Sequence, residues 1–182
     1  HSYVQMGDHV YELFAFVAGE QFDRTMEETA DAGRVLAQFH QLTEDFQPSA
    51  SLPIRQGDFH DAPSVRTGLC AIGSKLSSHD SFSGDEAELA ALVQYLLETY
   101  DRAAEIGNSL KITEHRDSSI HSDWHPGNLL FRKQTVAAVL DYDSVRMSKR
   151  VIDVANGALQ FSMIAGGDPA TWPPNLDEER FD

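Results

Sequence analysis

Residues 120–143 constrain the fold more than any other stretch of the chain. They read Ile-His-Ser-Asp-Trp-His-Pro-Gly-Asn-Leu-Leu-Phe, nine further residues, then Asp-Tyr-Asp. The apolar runs at 120–121, 129–131 and 136–140 are short, and Pro126 and Gly127 interrupt them. That pattern predicts small strands around a polar loop. Asp123 and Asn128 lie in the loop, and Asp141 closes a β-like run. A loop carboxylate, a loop amide and a strand-end carboxylate can converge on one point. Oxygen ligands of this kind suit a hard cation such as Mg²⁺, which needs only one or two carboxylates when phosphates supply the rest.

Around this centre the periodicity is mainly helical. Over 25–43, Ala32, Leu36, Phe39 and Leu42 fall near one stripe. Glu27, Glu28 and Asp31 occupy the early turns, where the helix dipole favours them, and Asp23 or Thr25 is the expected N-cap. A short helix is expected over 64–77, with Cys70 as inert core on its apolar face. Leu89, Leu92, Val93, Leu96, Leu97 and Tyr100 predict a helix over 85–106, opened by Ser83 and Glu86 at capping-box spacing. Another begins near Arg150 and carries Val151, Val154, Ala155, Ala158 and Phe161. Residues 9–18 read as a mostly buried strand that Gly19 ends. Residues 44–63 read as a long loop holding His60 and Asp61, and 166–182 as a Pro/Gly-rich stretch without a core pattern.

The 182 residues carry a net charge of −15. That argues against a nucleic-acid partner, whose phosphates need a basic stripe, and against an anionic membrane surface. It leaves small anionic ligands open, since one metal ion inverts a local field. Cys70 is the single cysteine, which excludes an internal disulfide and fits a reducing, cytoplasmic location. No apolar run approaches 18 residues.

The His-x-Asp-x-x-x-x-Asn spacing from His121 to Asn128 is that of a kinase catalytic loop. The stretch resembles the aminoglycoside phosphotransferase-like kinases, a group that includes choline and type II homoserine kinases. Their hallmark is a His-Gly-Asp-x-His-x-x-Asn loop followed by an Ile-Asp-type strand end. Here those elements are His121-Ser122-Asp123-Trp124-His125-Pro126-Gly127-Asn128 and Leu140-Asp141-Tyr142-Asp143, with Ser122 in place of the usual Gly. The stretch from Tyr11 to Gly19 resembles the hinge strand between two lobes. The helix at 25–43 resembles the first helix of the large lobe, and Asp153 the Asp that braces the catalytic loop.

The resemblance implies an α/β (α+β) protein-kinase-like fold, mainly the helical C-terminal lobe with short β elements around the catalytic loop. Residues 1–19 would be a small-lobe remnant and hinge, 20–165 the large lobe, and 166–182 a tail. Asp123 would accept or orient the proton of the attacking hydroxyl. Asn128 and Asp141 would hold Mg²⁺ against the phosphates of ATP, and backbone groups of Ala15, Phe16 and Val17 would bond the adenine edge. The reaction implied moves the γ-phosphate of ATP to a hydroxyl of a small polar metabolite. A cationic acceptor would suit the acidic balance. The first lysine is Lys75, so the small-lobe lysine that grips the α- and β-phosphates has no counterpart before the hinge. The chain is therefore expected to be an incomplete, weakly active form, able to self-associate through its exposed hinge strand.

Blander readings stand beside these. An Asp or Asn in a Pro/Gly loop is ordinarily a turn former, and Asp143 serves equally as a second metal contact or a solvated acid. His121 and His125 would prop the loop and pack beside Pro126, with Trp124 either under the loop or at the acceptor's edge. Two rivals remain: a metal-dependent hydrolase built on His121, Asp123 and His125, and a non-catalytic pseudokinase-type binding module.

Overall fold

The computed structural model describes residues 3–46, 62–78, 84–164, 168, 171 and 176–181. Most of the 44–63 loop, including His60 and Asp61, lies outside the described residues, as does Ser83. The elements, in order, are β1 (Tyr3–Met6), β2 (His9–Glu12), α1 (Met26–Leu42), α2 (Ala62–Ser77), α3 (Glu86–Ser109), β3 (Ser118–Ile120), β4 (Leu129–Arg132), β5 (Thr135–Val139), β6 (Arg146–Ser148), α4 (Arg150–Ser162) and α5 (Glu178–Phe181). They form two compact units, one of residues 1–48, 118–146 and 150–182, the other of residues 49–117 and 147–149.

The first unit is built on α1 and α4, with the β4–β5 hairpin against α1. Its core is Ala32, Leu36, Trp124, Leu129, Phe131 and Phe161. Phe22 joins two of these rings, 4.9 Å from Phe161 and 5.7 Å from Phe131 between centroids. Helix α1 starts where the sequence predicts because Thr25 is its N-cap, its Oγ1 accepting the Glu28 N–H at 3.3 Å. Glu28 reaches back to accept the Asp23 N–H at 2.6 Å. Asp31 does more than complement the helix dipole: it accepts the Val136 N–H at 2.7 Å and so pins β5 to α1.

The expected buried strand over 9–18 is corrected. Only His9–Glu12 is strand, paired antiparallel with Tyr3–Met6, and every residue of both strands is exposed. Among the described residues, this two-stranded ribbon has no third strand to cover it. Residues 13–19 run without regular pairing until Glu20 exchanges backbone hydrogen bonds of 2.8 Å with Phe131. Gly19 ends the run for a packing reason: a Cβ there would lie 2.7 Å from Leu130 Cβ and 3.2 Å from the Phe131 carbonyl. Near the other end of the chain, Leu176 bridges Met163, and α5 packs on α4 and α1 with Arg180 buried, so order appears where the sequence offers no core pattern.

In the second unit α2 packs on α3, and Arg66 pairs with Asp101 between them. Asp85, not Ser83, caps α3, accepting the Ala87 N–H at 2.6 Å. Leu89, Val93, Leu96, Leu97 and Tyr100 are half-buried, whereas Leu92 is exposed. Cys70 is exposed rather than core, because Gly68, Leu69 and Ala71 around it are themselves at best half-covered. Lys149 bonds Asp117 at 3.0 Å.

Candidate active site

The loop 121–128 hangs from a carboxylate beneath it. Asp153, fully buried on α4, accepts the His121 N–H at 2.8 Å through Oδ2 and the Ser122 N–H at 2.7 Å through Oδ1. The buried His40 of α1 donates its Nε2 proton to the same Oδ2 at 2.9 Å. One carboxylate thus ties both helices to the loop. Arg150 adds a second tie, donating to the His40 carbonyl at 3.0 Å and pairing with Glu44 at 3.6 Å. Sequence reasoning placed Asp153 and missed His40. Its only sequence signal is a polar residue on the apolar stripe, four positions beyond Leu36.

The brace bends the chain. Ser122 takes φ +68°, in the left-handed region that costs a non-glycine residue about 1 kcal/mol. That conformation is the physical reason a glycine suits this position better. Trp124 lies under the loop, 1% exposed, against Gly157, where a Cβ would stand 3.1 Å from Trp124 Cδ1. It is core.

Asp123 and Asn128 are brought together. Asn128 Nδ2 donates to the Asp123 carbonyl at 2.9 Å and to Asp123 Oδ2 at 3.1 Å. This spends the amide's donors within the loop and leaves its Oδ1 as the free acceptor. The strand end is bolted to the same loop from two sides. Leu140 N–H donates to the Asn128 carbonyl at 2.8 Å, and the Leu140 carbonyl accepts from His121 Nε2 at 3.1 Å. The next residue is Asp141, at φ +58°. Its exposed carboxylate has no hydrogen bond or ion pair among the described residues. An amide oxygen and one or two unpaired carboxylates fit a Mg²⁺ ion that keeps water and phosphate in its other positions.

His121 props the loop as its sequence position implies, buried among Phe39, Trp124 and Tyr142. His125 adds a hydrogen-bonding role to its place beside Pro126. It caps the short turn that follows it, Nδ1 accepting the Gly127 N–H at 3.0 Å, with Nε2 3.5 Å from Asp123 Oδ2. With His121 committed to Leu140, the His–Asp–His trio of a hydrolase does not assemble. Among the described residues no group of three His, Cys, Asp or Glu is placed to hold a metal.

Ala15, Phe16 and Val17 lie in the unpaired stretch before Gly19. Their backbone groups have no hydrogen-bond partner among the described residues, and Phe16 is 93% exposed. The stretch is anchored beside β4 by Arg132, which donates to the Ala18 carbonyl at 2.6 Å. It therefore enters the fold next to the strand that follows the loop.

The model of the phosphotransferase enzyme family matches residues 4–177. The chain belongs to this family. Its fold is that of the kinase-like aminoglycoside phosphotransferases. The aminoglycoside phosphotransferase from Alicyclobacillus acidocaldarius subsp. acidocaldarius DSM 446 superposes with a TM-score of 0.57 at 20% identity, over 88% of this chain and 49% of that one. The streptomycin–ATP–APH(2")-IIa ternary complex superposes with a TM-score of 0.51 at 16% identity, over 85% of this chain and 51% of its own. The chain spans about half the length of each. No curated protein matches the chain significantly. Among the described residues no helix is long and apolar enough to cross a membrane.

Proposed function

We propose that this family member carries the phosphoryl-transfer centre of an ATP-dependent small-molecule kinase acting in the cytoplasm. The observation that carries the reading is the double bolt at Leu140, the residue before Asp141, to the loop that holds the Asn128–Asp123 pair. Asp123 takes the proton of an acceptor hydroxyl as its oxygen attacks the γ-phosphorus. The new O–P bond forms while the bond from the γ-phosphorus to the β,γ-bridging oxygen breaks, and ADP leaves. Asn128 Oδ1 and Asp141 would hold Mg²⁺, which neutralises the charge of the phosphates. Ala15, Phe16 and Val17 supply free backbone groups for the adenine edge. Such chemistry is mostly positioning, which suits a loop held by buried hydrogen bonds. The retention of Asp123, Asn128 and Asp141 together speaks against a pseudokinase.

Isothermal titration of Mg·ATP into the protein tests this reading. Binding is expected to require Mg²⁺, and Asp141→Ala is expected to weaken it at least tenfold. Equal binding with and without Mg²⁺, or an affinity unchanged by Asp141→Ala, would remove the metal role of Asp141.

The reading extends to self-association through the β1–β2 hairpin and the residues after it. Val4, Val10, Leu13, Phe14 and Phe16 are each more than half exposed there, an apolar area that monomers rarely leave uncovered. Light scattering is expected to show a mass that rises with concentration. A monomer at high concentration would count against it.

A further inference from the structure

A cavity of about 340 Å³ opens beside the catalytic loop. Its wall is formed by Gln21, Phe22, Arg24, His125, Gln160 and Met163, together with the Pro-Gly turn of the loop. His125 connects it to the reacting centre, since its Nε2 lies 3.5 Å from Asp123 Oδ2.

Two features set the chemistry of this cavity. None of its lining side chains is a carboxylate, in a protein with 29 Asp and Glu. In addition, the Arg24 guanidinium is exposed and has no partner among the described residues. Arg34, Arg66, Arg150 and Arg180 each pair with an acid. Arg24 is also held in place through its backbone, at φ +61° with its carbonyl accepting from Arg180 Nη1 at 3.4 Å.

We infer that this cavity is the acceptor subsite and that it takes a small hydroxyl compound bearing an anionic carboxylate or phosphate group. The inference rests on the phosphotransferase reading above and names its substrate class. Arg24 pairs with the anion, because a guanidinium fork matches the planar oxygens of carboxylate or phosphate. Gln21 and Gln160 bond the neutral hydroxyls, and Phe22 and Met163 form an apolar floor. A polycationic acceptor finds no carboxylate in the wall and meets Arg24 as a like charge. The whole-chain charge of −15, which by itself suits a cationic acceptor, reports on the entire surface rather than on this cavity.

The test titrates D-glycerate, glycerol 3-phosphate and gentamicin separately into the protein, following the His125 imidazole signals by NMR. One of the two anions is expected to bind and shift His125, and which one tells carboxylate from phosphate. Arg24→Ala is expected to weaken that binding at least tenfold, Arg24→Lys less, and gentamicin is expected not to bind. Failure of both anions to bind, binding insensitive to Arg24, or gentamicin shifting His125 would overturn the inference. Mg·ATP affinity is measured on the same samples and is expected to be unchanged by Arg24→Ala. If that substitution weakens Mg·ATP instead, Arg24 serves the nucleotide and the acceptor assignment falls. If Mg·ATP binds through Asp141 while the anion arms fail, only this inference falls. If Mg·ATP does not bind at all, the phosphotransferase reading falls with it.

Discussion

Asp153→Ala is expected to lower the stability of this protein by about 3–5 kcal/mol, the cost of removing one side of a buried charged network. The Asp153 carboxylate is fully buried and accepts three hydrogen bonds, from His121 N–H, Ser122 N–H and His40 Nε2. Alanine leaves two backbone donors and one imidazole donor without partners in a dry site, each a penalty of about 1–3 kcal/mol when no water enters. Total stabilities are only about 5–15 kcal/mol, so the variant is expected to sit near the edge of folding. Asp153→Asn is the milder probe. It keeps one acceptor oxygen but turns an NH₂ group toward a donor. Its expected cost is about 1.5–3 kcal/mol, the range for hydrogen bonds to a charged group. Urea denaturation at 25 °C measures both. A loss below about 1 kcal/mol for Asp153→Ala would mean that the loop does not depend on this brace.

Asp123→Asn is expected to slow γ-phosphate transfer about 10²–10⁴-fold, the range for removing a positioned general base. The substitution keeps an oxygen that can accept from Asn128 Nδ2, now 3.1 Å from Asp123 Oδ2, so the loop geometry is retained. What it removes is the negative charge that receives the hydroxyl proton. The Asp123 carboxylate is partly open to solvent, its side chain 44% exposed, as a group that must meet an acceptor has to be. Phosphate loss from ATP, followed by ³¹P NMR with and without the acceptor, reads the rate. Mg·ATP affinity by titration reads the ground state and is expected to change little. An unchanged rate would place the base elsewhere. A rate and an affinity that fall together would make Asp123 a nucleotide-binding group.

The pattern of the sequence carried the helices well, because their apolar stripes repeat every turn and need no distant partner. Thr25 and the stripe through Ala32 and Leu36 define α1 within a residue or two of its ends. The β segments were legible only in part. The apolar run over 9–18 has the composition of a buried strand, yet burial depends on what lies across the sheet, and the hairpin of β1 and β2 is exposed on both faces. Cys70 misled for the same reason: an apolar neighbourhood in sequence does not guarantee a covering surface in space.

The chain by itself determined which polar groups the loop offers. The order Asp123, Asn128 and then Asp141 after a short apolar run supplies the oxygen donors on which the proposed role rests. Only the tertiary structure decided how those donors are held. Asp153 lies 30 residues beyond Asp123, and His40 lies 113 positions before Asp153. Their contact at 2.9 Å exists because two helices cross under the loop, and no local pattern reports a pairing of that range. The same holds for the cavity beside His125, whose walls come from the segment before α1, the loop itself and the end of α4. Local residue identity sets which atoms are available for reaction. Long-range packing sets which of them are buried, which are paired and which remain free to meet a ligand.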